Sequence, residues 1–88
     1  MGKYRKTSHL AWRIICEQAY IVNTKISILF ELNEVGTSIW QLIDPRSSPE
    51  KIAYSLCDIY DVASENALED TNEFLIELSK NGLIEAVK

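Results

Sequence analysis

The chain has 88 residues, 47% hydrophobic and 25% charged, and its 9 bases and 13 acids give a formal net charge of −4. A domain this short buries only about 60–65% of the surface its unfolded chain exposes, which leaves little room for an enclosed active site, and two cysteines cannot staple a disulfide scaffold or complete a four-ligand zinc site. It is too apolar for a disordered tail, no apolar run approaches the roughly 18–20 residues of a membrane span, and the opening lacks the apolar stretch of a signal peptide, so a cytoplasmic binding module rather than an enzyme is expected.

The first 13 residues carry Lys3, Arg5, Lys6 and Arg13 and no acid. All the acids therefore lie in the remainder of the chain, an acidic body that repels phosphate. Residues 1–8 are expected to form a flexible basic terminus, with one domain over residues 9–88.

From Leu10 to Leu32 the sequence is rich in Ile, Val, Tyr, Trp and Phe, which predicts three short strands near 11–17, 19–23 and 28–32. A tight turn is placed at Glu17-Gln18 and a longer one over 23–27, and connections this short imply an antiparallel meander. After Leu32 the period changes to 3.6. Asn33 caps a first helix whose stripe is Val35, Ile39, Leu42 and Ile43, with Gly36 leaving space one turn below the Trp40 indole. Asp44-Pro45 stops it. Ser48-Pro49 opens a second helix with Ile52, Leu56, Ile59 and Tyr60 inward and Ala53 and Cys57 alongside. A third helix, capped by Ser64, runs to about Lys80, where Asn81-Gly82 supplies the stop, and Leu83-Ile84 packs back. Three strands then three helices make an α+β fold with the helices on one face of the sheet.

The catalytic inventory is thin. His9 is the one histidine, Cys16 and Cys57 sit in apolar patterns and read as small buried hydrophobes, and the three glycines are scattered, so no phosphate loop exists. No catalytic residue, metal ligand or cofactor is assigned. The third predicted strand, Ile28, Leu29, Phe30, Glu31 and Leu32, is apolar, lacks Pro and Lys, and is an edge of the meander, a template for an incoming extended peptide or for a second copy of the chain in a homodimer. On the third helix Ala67, Leu68, Thr71, Phe74, Leu75 and Leu78 share one face, Asn72, Ile76 and Ser79 form a neighbouring strip, and Glu69, Asp70, Glu73 and Glu77 are solvated. The strip either widens the core or walls a groove beside the edge strand.

The run Leu32-Asn33-Glu34-Val35-Gly36-Thr37-Ser38-Ile39-Trp40-Gln41-Leu42-Ile43-Asp44 resembles the signature of the PqqD-like family. Glu50-Lys51-Ile52-Ala53 through Leu56 to Tyr60-Asp61-Val62, and Asp70, Phe74, Leu75, Leu78 with Gly82-Leu83-Ile84, follow in the family's order, so the resemblance covers about residues 8–88. It implies a winged-helix-like fold and a non-catalytic recognition element for ribosomally made, modified peptides. Such an element holds the leader of a precursor peptide as an added strand and delivers it to a modifying enzyme, a radical SAM protein or a leader protease. The contact surface implied here is Ile28, Leu29, Phe30, Glu31 and Leu32 with Asn72, Leu75, Ile76 and Ser79, the helix positions coming from the face analysis. The chain departs from the family with Ile26-Ser27 in place of Thr-Gly and Pro45-Arg46 in place of Gly-Arg. The competing readings are a winged-helix DNA-binding regulator, which the acidic body disfavours, and a docking subunit of a larger enzyme.

Overall fold

Two consecutive residues with positive φ, Cys16 at 51° and Glu17 at 66°, turn the chain between Ile15 and Gln18. That geometry belongs to a two-residue type I′ hairpin, whose twist matches the strands it joins, even though neither residue is the Asn or Gly that adopts it most easily. The turn therefore sits one residue earlier than the sequence implied. Cys16 is consequently exposed rather than buried, and Cys57 is half-buried.

The computed structural model describes residues 3–87. The strands are β1 (Lys3–Lys6), β2 (Leu10–Ile15), β3 (Gln18–Asn23), β4 (Ile28–Glu31) and β5 (Ile84–Val87), and the helices α1 (Glu34–Leu42), α2 (Pro49–Ile59) and α3 (Ser64–Lys80). The sheet β2-β3-β4 is antiparallel, with Trp12 opposite Ile21 and Ile21 opposite Phe30. It precedes the three helices, the α+β order expected. The β3–β4 connection is held by the Asn23 side chain, which accepts from the N–H groups of Lys25 (3.0 Å) and Ile26 (3.3 Å), and ends with Ser27 at φ 59°. Ser27 thus occupies a left-handed position that glycine adopts at less cost.

The basic terminus departs from expectation. Lys3–Lys6 pairs antiparallel with β5, from Lys3 opposite Val87 to Lys6 opposite Ile84, and Arg5 Nε donates to Glu85 Oε2 at 2.7 Å. The Lys6 ammonium lies 5.4 Å from the Trp12 ring centre and 5.0 Å from that of Trp40, and donates to the Ile43 carbonyl at 3.2 Å. The two indoles meet edge to face at 5.8 Å. Burial draws the Lys6 pKa below the ordinary lysine value, against the opposing charge of Asp44. The sequence offered no local sign of this because the partners of residues 3–6 lie at the other end of the chain. Replacing Lys6 by Ala should cost about 1–2 kcal/mol, through the lost cation–π contacts and stem packing. Urea unfolding measures this, and a loose terminus would show no change.

The helix boundaries follow their caps. Asn33 accepts from the Gly36 N–H at 2.8 Å and Ser48 from the Lys51 N–H at 3.2 Å. Asp44 accepts from the Arg46 N–H at 2.8 Å, which together with the Arg46 charge holds its carboxyl below the usual range. Ser64 is the first helical residue of α3 rather than its cap, and Ala63 stands at that position without a side-chain bond. At the far end Gly82, at φ 76°, closes a Schellman motif: its N–H bonds Ser79 O (3.1 Å) and the Leu83 N–H bonds Leu78 O (3.0 Å).

The core gathers Ala19, Ile21, Leu32, Ile39, Trp40, Ile43, Ile52, Leu56, Leu75, Leu78, Leu83 and Ile84. Trp40 is fully enclosed at its centre, whereas Val35, expected in the stripe of α1, is 43% exposed and Ile59 of α2 is 56% exposed. The buried arc of α1 is centred on Gly36, Thr37 and Trp40 because the helix packs between sheet and helices rather than on one of them. The space left at Gly36 is taken by Phe74, since a Cβ there would lie 2.9 Å from its Cζ.

A free strand edge beside an apolar groove

The last rung of the β3–β4 ladder is unusual. The Leu32 N–H donates to Ala19 O at 2.9 Å, but the Ala19 N–H donates to Thr37 Oγ1 at 2.7 Å. The same hydroxyl donates to Leu32 O at 3.4 Å. Buried Thr37 is spliced into the rung where the chain leaves β4 for α1, and so fixes the direction in which β4 ends.

That rung also sets the alternation along β4. In an antiparallel ladder successive residues bond alternately to either side. Leu32 and Phe30 bond inward to β3, so the N–H and C=O groups of Leu29 and Glu31 point to the opposite side, where the sheet order places no strand among the described residues. Leu29 is 54% exposed.

Beside this edge lies a groove of about 370 Å³ between β4 and α3. Phe30, Leu32, Phe74, Leu78 and Leu83 supply its apolar walls, and Glu31, Glu77 and Asn81 complete the lining. A second, shallower hollow of about 220 Å³ continues along α3 over Asp70, Glu73, Phe74 and Glu77. A further hollow of about 220 Å³, between α2 and the start of α3, is lined by residues such as Ala53, Tyr54 and Leu68. None of its lining residues lies on a strand, so it offers no backbone edge.

The predicted site residues divide. Phe30, Glu31 and Leu32 line the groove, and Ile28 and Leu29 lie exposed on the same strand. Leu75 is only 1% exposed and belongs to the core. Asn72, Ile76 and Ser79 do not line the groove. With Ala67, Thr71, Leu75 and Leu78 inward, a helix of 3.6 residues per turn puts Phe74, Glu77 and Asn81 on one flank and Asn72, Ile76 and Ser79 on the other. It is the first flank that meets β4. The sequence reading left out of the site Phe74 and Leu78, read as core face, Glu77, read as solvated, Asn81, read as a stop, and Leu83, read as packing back. The i, i+3, i+7 spacing of Phe74, Glu77 and Asn81 was the available signal.

Among the described residues no three His, Cys, Asp or Glu side chains gather as a metal-binding group. No described helix is long and apolar enough to cross a membrane.

The profile of the family described as "Coenzyme PQQ synthesis protein D (PqqD)" matches residues 18–84. Two solved structures share the fold. TbiB1 in complex with the TbiA(beta) leader peptide is 24% identical, with a TM-score of 0.86, and the match covers 96% of this chain and 98% of that one. Lasso peptide synthetase B1 complexed with the leader peptide is 19% identical, with a TM-score of 0.84, covering 94% and 98% respectively. No curated protein sequence matches the chain.

Proposed function

The chain belongs to the PqqD family, and from that premise we propose that it is a non-catalytic adaptor that captures the leader of a ribosomally made precursor peptide. The leader pairs as a fourth strand with β4 and is carried to a modifying enzyme of the same pathway, in the cytoplasm where such precursors are made. The observation that carries this reading is the outward-facing backbone of Leu29 and Glu31 running beside the apolar groove. Backbone pairing supplies affinity that depends little on sequence, and side chains alternating into the groove supply selectivity. The two structures of the same fold hold leader peptides, which supports the same use of the edge here. Duplex DNA is a poor alternative. α3, the helix that a winged-helix regulator would offer to the groove, carries five acids against Lys80 alone.

Fluorescence anisotropy with labelled N-terminal segments of precursor peptides encoded beside this gene tests the proposal. One such segment should bind with a Kd of about 1 μM or tighter, about −8 kcal/mol, while a labelled DNA duplex does not bind. Failure of every neighbouring precursor to bind the folded protein would overturn it.

A further inference from the structure

We infer that the groove selects a leader in which an apolar anchor residue is flanked, two positions away, by Lys or Arg; this rests on the leader-capture reading and specifies its ligand. The pocket and the free edge define the site, and the side chains around them define its charge. The deep part, under Phe30, Leu32 and Leu83, is apolar. The flank of α3 that continues from it presents Asp70, Glu73 and Glu77 around the Phe74 ring. Both hollows share Phe74 and Glu77, so they form one continuous shelf.

Among the described residues no ion pair neutralises that shelf. The ion pairs among the described residues are Arg5 with Glu85 and Arg46 with Asp44, both away from it. Lys80, the one base of α3, is in neither. An anionic or neutral polar leader would therefore meet uncompensated carboxylates, whereas a basic one supplies the missing counter-charge.

The spacing explains where the bases belong. Glu73 and Glu77 are one turn apart, about 6 Å along the helix axis at 1.5 Å per residue. Two residues of an extended strand span about 6.6 Å and return to the same face. A strand lying on β4 thus repeats its groove-facing side chains at nearly the interval at which α3 repeats its carboxylates. An apolar residue seated against Phe74 leaves the residues two positions to either side on the same face, about 6.6 Å away, opposite Asp70 and Glu77, which stand about 6 Å and about 4.5 Å along the axis from Phe74.

The test uses the precursor segment that binds, its copy with every Lys and Arg replaced by Gln, and the full chain. Binding of the native segment should weaken at least tenfold between about 50 mM and 500 mM NaCl, as screening shortens the reach of exposed charges. The double variant Glu73→Gln/Glu77→Gln should bind at least fivefold more weakly at low salt, with most of the salt dependence gone. The Gln-substituted segment should behave likewise with the unaltered protein. Asp58→Asn/Asp61→Asn, an equal charge change outside the groove, should bind within twofold of the unaltered protein. Salt-insensitive binding, or a Glu73→Gln/Glu77→Gln protein that binds as tightly as the original, would overturn the charge selection and leave leader capture standing. If no precursor segment binds the unaltered protein at all, both readings fall together.

Discussion

Replacing Leu29 by Pro should reduce leader binding at least tenfold while the domain stays folded. The Leu29 N–H points away from β3, so losing it leaves the β3–β4 ladder whole, and proline is tolerated on an edge strand where its missing donor would have faced outward. An incoming strand would lose that donor and meet the pyrrolidine ring. One net backbone hydrogen bond is worth about 1 kcal/mol, and the ring's obstruction adds to it, so a loss beyond the factor of ten that about 1.4 kcal/mol represents is expected. Phe30→Pro is the contrasting variant, because its N–H lies inside the ladder and its loss should unfold the sheet. Anisotropy with the bound precursor segment, together with thermal unfolding followed by circular dichroism, separates the two outcomes. If Leu29→Pro binds as tightly as the original protein, the peptide does not use this edge.

Thr37→Val should destabilise the domain by about 3 kcal/mol. Valine preserves the shape but strands the buried Ala19 N–H and deprives the Leu32 carbonyl of its partner, and an unsatisfied buried polar group costs about 1–3 kcal/mol. The loss is large against the roughly 5–10 kcal/mol that holds so short a domain together. Thr37→Ser keeps the hydroxyl and should recover most of it. Urea unfolding gives the stability difference. Because the same hydroxyl fixes where β4 ends, leader affinity of Thr37→Val should fall even at temperatures where the domain remains folded, whereas Thr37→Ser should bind within about threefold of the original, less than 1 kcal/mol.

Local chemistry made much of the molecule legible in its sequence. Asn33, Ser48-Pro49 and Gly82 bound their helices because capping needs only residues within a turn of the helix end. The β-branched and aromatic stretch before Leu32 announced strands for a similarly local reason. The Cys16-Glu17 turn was misplaced by one residue because its positive φ values are imposed by strand register and not by the residues themselves. Placing β4 at an edge required only short connections in an antiparallel meander, and this was enough to point at the backbone the leader is proposed to use.

The composition of the helical faces was likewise sequence-determined: Thr71, Leu75 and Leu78 inward, with carboxylates outward. Which flank of α3 borders β4 was not, because helical periodicity gives the two flanks of a buried stripe equal standing. Only the packing of α3 against α2 and β5, with the Phe74 ring seated at Gly36 of α1, turns Phe74, Glu77 and Asn81 toward the strand and leaves Asn72, Ile76 and Ser79 away from it. The fate of the basic terminus was decided in the same way. Its pairing with β5 and the seating of Lys6 on Trp12 and Trp40 join groups far apart in the chain. The chain therefore determines by itself the N-caps of α1 and α2, the C-terminal stop of α3, the strands β2, β3 and β4, and its charges. Packing decides which charges border the groove, because a helix's rotation about its own axis is fixed by its neighbours and not by its own sequence.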